Sequence, residues 1–102
     1  MASSKGYMEF VIGALAPLGD VTYRRMMGEY IIYYQGKVVG GVYDDRFLLK
    51  GTKSALALLN EANVEPVWEI PYPGAKRMLA ADAEEEIALR LIEAIAGDLA
   101  AK

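Results

Sequence analysis

Arg24 and Arg25 stand side by side in the segment TYRRMMGEY. A guanidinium is a planar fork of donors that matches a carboxylate or a phosphate. Anion recognition is therefore the first chemistry the chain offers. Strand neighbours point to opposite faces, so one Arg is expected at the helices or a rim and the other in solvent. The structural alternative is one surface Arg and one paired with Glu29, Asp20 or Asp44. Tyrosine, seven in all, offers the second chemistry. Tyr30, Tyr33, Tyr34 and Tyr43 fall in or beside one hairpin, with Tyr30 and Tyr34 on one face and Tyr33 on the other. Such residues pack across strands first, form a dimer interface second and stack bases third. The net charge of −3 weighs against the last. The candidate interaction residues are Arg24, Arg25, Tyr30, Tyr34 and Tyr43.

Catalytic types are scarce. The 102 residues include no His and no Cys, which removes the commonest general base and metal ligand and every thiolate mechanism. Asp44-Asp45 reads as a turn, where Asp bonds its own backbone, with a weak divalent-cation site as the alternative. Glu84, Glu85 and Glu86 read as a helix start, where the dipole favours them. Neither group has the converging placement that acid–base or metal chemistry needs. Gly36, Gly40 and Gly41 form no phosphate loop, because no Lys-Ser/Thr and no helix follow. Without His, Ser54 would need Lys50 or Lys53 as its base, and nothing marks that arrangement. No catalytic residue, metal ligand or cofactor is expected.

The elements that must carry these residues follow from periodicity. Residues 4 to 16 read as a helix capped by Ser3 or Ser4, with Tyr7, Phe10, Val11, Ala14, Leu15 and Leu18 on its apolar face. Pro17 and Gly19 end it. Residues 21 to 50 read as a β-meander: Val21–Met26, EYIIYYQ, KVVGGVY and Arg46–Lys50. Bends fall at Gly28, Gln35-Gly36 and Asp44-Asp45, and a bulge or close approach at Gly40-Gly41. Thr52 caps a short helix to about Asn60 with Ala55, Leu56 and Leu59 inward. Three prolines then force an extended segment, with an edge strand around Val67–Ile70 and a turn at Pro73-Gly74. Lys76–Ala81 fits a strand or a helix. Asp82, with Glu85 three residues on, has capping-box spacing. Ile87, Leu91, Ile95 and Leu99, joined by Ala88 and Ile92, form the last buried stripe, with Glu86 and Arg90 as an i,i+4 pair and fraying near Gly97 or beyond Leu99. The expected fold is α+β in two layers. An antiparallel sheet of about 4–6 strands with a central meander is covered by N-terminal and C-terminal helices.

The block VTYRRMMGEYIIYYQGKVVGGVYDDRFLLKGTKSA resembles the N-terminal domain of the TfoX/Sxy family. The matching pieces are Arg25-Met26-Met27-Gly28, the hairpin YYQGKVVGGVYDD and LLKGT, and IPYPGAKRMLAAD resembles the segment before the family's last helix. The resemblance runs over roughly residues 5 to 100. It implies an α+β domain with a helix-covered antiparallel sheet and no established catalytic residues, of a kind whose related folds often form dimers. The family's competence regulators are implied to control DNA uptake with the cyclic-AMP receptor protein at particular promoters, and they carry a second, C-terminal domain. This chain ends at Lys102 directly after the first, and is read as one domain, residues 1–102. The expectation is a non-enzymatic domain working through protein contact, as a homodimer and with a partner in the transcription machinery. One alternative is weak nucleic-acid binding, since residues 20 to 56 hold six basic and four acidic residues while 80 to 102 hold six acidic and two basic. The other is a small anion site at Arg24 or Arg25. Direct nucleic-acid contact is not expected of so acidic a chain. Glu9, Gly13 and Pro17 break the apolar start, so neither a membrane span nor a signal peptide is expected, and the location is read as cytoplasmic.

Overall fold

Three tight turns organise the first half of the sheet. The computed structural model describes residues 3–100. In it β1 (Val21–Met26), β2 (Glu29–Tyr34), β3 (Lys37–Tyr43) and β4 (Arg46–Leu49) form an antiparallel meander. The linking pairs are Met27-Gly28, Gln35-Gly36 and Asp44-Asp45, and all six residues have φ between 52° and 85°. Positive φ at both central positions is the type I′ turn, whose twist matches the strands it joins. Later in the chain come β5 (Trp68–Glu69) and β6 (Met78–Ala80). The six-stranded sheet has the order β1-β2-β3-β4-β6-β5, antiparallel throughout. Within the ambiguous segment 76–81, Met78–Ala80 is thus a strand, held between β4 and β5.

Three helices lie on one face. α1 (Lys5–Leu15) starts where the Ser4 hydroxyl accepts the Tyr7 N–H at 3.1 Å and ends in a 3₁₀ turn, Ala16–Leu18. α2 (Lys53–Glu61) is capped by Thr52, and α3 (Glu86–Ala100) packs on β2, β3 and α2. The core joins Met8, Val11 and Leu15 of α1 and Leu91, Ile92 and Ile95 of α3 to Tyr30, Ile32, Val39, Val42, Phe47 and Leu49 of the sheet. Truncating a fully buried Ile32 to Ala costs about 2–5 kcal/mol. The two-layer α+β expectation holds.

Four local expectations are corrected. Phe10 is 45% exposed while Met8 is fully buried: the buried positions 8, 11 and 15 define the face, and Phe10 instead stacks beside Tyr7 on the outside. The last helix begins at Glu86, not Asp82, so only Glu86 lies in its first turn. The Asp82 carboxylate accepts the Glu84 N–H at 3.0 Å and shapes a preceding turn instead. Glu86 and Arg90 form no ion pair, since Arg46–Glu69 is the one ion pair among the described residues. Finally, α3 continues through Gly97 to Ala100.

The bulge sits one residue before the expected glycines. Ile32 pairs with Gly40 and Tyr33 with Val38, leaving Val39 unpaired and buried. Gly40 and Gly41 serve the close approach: a Cβ at Gly40 would collide with the Leu48 carbonyl oxygen, and one at Gly41 with that of Tyr30.

Candidate functional site

The candidate residues separate into three environments. Tyr30 and Tyr34 are 5% and 8% exposed and belong to the core beneath the helices. Arg24 and Arg25 are both exposed on β1, an edge strand. Parity works as expected, with Arg25 opposite Tyr30 on the helix side and Arg24 opposite Ile31 on the other. Neither makes an ion pair among the described residues. The Glu29 carboxylate is already engaged: it accepts Ser3 N–H at 2.9 Å, Ser3 Oγ–H at 2.6 Å and Asp44 N–H at 3.0 Å. Asp45 accepts the Ser4 N–H at 2.7 Å. This net ties the chain start to the first and third turns. Asp44-Asp45 is thereby a turn element, and among the described residues no three Asp or Glu gather to hold a metal ion.

The β1 edge is an open strand. From Thr22 to Met26 every side chain is exposed, Tyr23 40% and Met26 47%. The following Met27 is 98% exposed and sits at φ 53°. An apolar, unpacked side chain in a left-handed conformation has no stabilising role in the fold. The backbone parity is also fixed. The Gln35 N–H donates to the Asp20 carbonyl at 3.1 Å, and Val21 stands opposite Tyr34. Alternation along an antiparallel ladder then aims Thr22, Arg24 and Met26 at β2 and leaves the N–H and C=O of Val21, Tyr23 and Arg25 facing outward.

Tyr43 marks a different place, on the sheet face away from the helices. Leu48, between the core residues Phe47 and Leu49, points to that face and is still fully buried. The segment following β5 lies over it. Pro71 is buried, and the Tyr72 ring packs 6.1 Å from Tyr43. Arg46 holds this segment, donating to Glu69 at 2.7 Å, to the Ile70 carbonyl at 3.3 Å, to the Pro71 carbonyl at 3.2 Å and to its own turn at Tyr43 O at 3.1 Å. Burial, with Tyr72 and Glu29 adding to it, pushes the Tyr43 phenol above its ordinary value.

Sequence reasoning missed the cations of this place. Lys50, at the end of β4, and Lys76 and Arg77, before β6, line one cleft with Tyr43 and Tyr72. The Arg77 guanidinium lies 4.0 Å over the Trp68 ring, a contact of about 0.5–1 kcal/mol where exposed. Gly51 makes room for that ring, since a Cβ there would stand 2.5 Å from it. The signal in the sequence was the proline-rich IPYPGAKR, an ordered loop ending in two cations.

Ser54 is a structural residue. Its Oγ–H donates to Asp98 Oδ1 at 2.6 Å and its N–H to Oδ2 at 2.9 Å. These bonds, hydroxyl first, hold the Asp98 carboxyl below the usual carboxylate range. A carboxylate from α3 thereby answers the N-terminal partial charge of α2.

No helix among the described residues is long and apolar enough to cross a membrane. Comparison with known proteins matches residues 13–81, over half of the chain, to the TfoX N-terminal domain. An uncharacterized 12.7 kDa protein from the trpE 5′ region of Spirochaeta aurantia is 40% identical over 90 residues, which is 88% of this chain and 75% of that protein.

Proposed function

The chain belongs to the TfoX N-terminal domain family, and from that footing we propose that it is a non-enzymatic contact module that self-associates through β1. The observation that carries this reading is the open β1 edge with the exposed Met27 at its end. Unpaired strand edges are templates for another strand. In an antiparallel pair of two β1 strands with Tyr23 on the two-fold axis, Val21 stands opposite Arg25 and Thr22 opposite Arg24. The outward groups of Val21, Tyr23 and Arg25 then meet their counterparts. An axis at Arg24 or Arg25 would oppose identical guanidiniums, which is repulsive. Tyr30, 5.7 Å from Tyr23 in an edge-on contact, backs this strand from within, and Tyr34 extends that support. A role in transcriptional or competence regulation, through a protein partner, is the setting that the family suggests.

Two proline variants test the pairing by sedimentation velocity. Tyr23→Pro removes an outward N–H, which an edge strand tolerates, together with the ring that meets Tyr30 edge-on. It is expected to be monomeric, where the unaltered chain self-associates, and to melt no lower than Tyr23→Ala, which loses the same ring and keeps the N–H. Arg24→Pro removes an N–H bonded to β2 and is expected to lower the melting temperature. A strict monomer of the unaltered chain at high micromolar concentration would falsify the proposal. Direct nucleic-acid contact is a second reading, favoured by the two exposed guanidiniums. Absence of DNA binding at about 50 mM salt, where phosphate contacts are strong, removes it.

A further inference from the structure

The cleft beneath residues 71–77 measures about 640 Å³. That lies inside the range of roughly 300–1,000 Å³ common to small-molecule sites. Lys50 reaches it from just after β4, while Lys76 and Arg77 arrive from the loop before β6, 26 positions away in the case of Lys76. No Asp or Glu is among the residues lining it. None of the three cations forms an ion pair among the described residues. Like charges gathered at one concavity repel each other unless an anion sits among them. The Arg77 guanidinium is held 4.0 Å over the Trp68 ring and forms no ion pair among the described residues, so its fork of donors remains for another partner. The α2 amino terminus beside the cleft adds little, because Asp98 already caps it; the three side chains set the sign of the field.

The other walls are aromatic and small. Tyr72 is 57% exposed and packs against Tyr43, so a flat ring has an aromatic surface on which to stack. Gly40 offers bare backbone to the cleft. We propose that this cleft binds a small phosphorylated molecule bearing a flat ring, of mononucleotide size, with Lys50, Lys76 and Arg77 holding the phosphate and Tyr72 the ring. The site is distinct from the β1 edge and from Arg24 and Arg25, and does not depend on self-association.

Amide chemical-shift titration of the full chain tests this with three probes: AMP, inorganic phosphate and adenosine. AMP is expected to shift Gly40, Tyr43 and Lys76 saturably at millimolar concentration or below. Phosphate alone is expected to bind about tenfold more weakly, and adenosine more weakly still. Each cation removed by Lys76→Gln or Arg77→Gln is expected to weaken AMP about tenfold, as for a lost charge-assisted hydrogen bond. Arg24→Gln is expected to leave AMP binding unchanged and serves as the control on the other edge. Both cleft variants alter exposed side chains, and their amide spectra report directly whether the fold is kept. No shift with AMP at millimolar concentration overturns the proposal. So does adenosine or phosphate binding as tightly as AMP, or AMP binding that survives Lys76→Gln and Arg77→Gln combined in one chain.

Discussion

At one edge of the sheet β1 runs six residues with five of its side chains exposed; at the other, β5 runs two. The β5 edge carries the devices that block strand addition: it is short, and Pro66, Pro71 and Pro73 surround it. Arg46 clamps the chain that follows, and Arg77 covers Trp68. The β1 edge has no proline, and its arginines stand opposite Thr22 and Val21 in the register drawn above. A protected edge is free to build a concave site on the adjoining face, since its loop is pinned. An unprotected edge is open to another strand. The two proposals thus put small-molecule chemistry at one end of the sheet and chain-to-chain contact at the other.

The largest effect expected from a single change in this comparison is at the pinned end. Arg46→Ala removes bonds to three carbonyls and one ion pair whose side chains are 32% and 36% exposed, the latter contributing little by itself. A loss of about 1–2 kcal/mol in denaturant unfolding is expected, with weaker AMP binding and unaltered sedimentation. If sedimentation changes as well, the two ends are not independent. At the open end, Met27→Asn places the residue preferred before Gly in a type I′ turn. A gain of about 0.5 kcal/mol is expected, together with weaker self-association. Unchanged association would remove Met27 from the contact.

The smallest effect lies between the two ends and needs a pH series. The Asp98 carboxyl is lowered in the folded chain by the Ser54 bonds. Its stabilisation is therefore complete above the unfolded carboxylate value near 4 and fades as pH falls through the lower folded value. Compared with Asp98→Ala, the chain is expected to hold a constant advantage from pH 7 to about 5, which closes toward pH 2. An advantage that persists in acid would show that something other than the charge joins α3 to α2.

Much of this architecture was legible because it rests on neighbours in the chain. Ser4 and Thr52 cap helices through their own hydroxyls. The Gln35-Gly36 and Asp44-Asp45 turns need only residues that accept positive φ. Where two local rules competed, position slipped. Asp82 has a cap's chemistry, but it turns the chain four residues before α3 begins. The cleft was not legible, because Lys50 meets Lys76 and Arg77 only when β6 pairs with β4.

By itself, then, the sequence determined the elements: alternation made the strands, the 3–4 spacing made the helical stripes, and short polar or glycine residues placed the turns. Only the tertiary structure decided which surfaces those elements left to solvent. Strand parity is the physical reason. One unpaired residue, Val39, sends its side chain into the core out of the regular alternation. One non-local pairing, β4 with β6, selects which cations share a cleft. The helices packed on one face put Tyr30 and Tyr34 inside, and the addition of β6 to β4 leaves Arg24 and Arg25 on the open β1 edge.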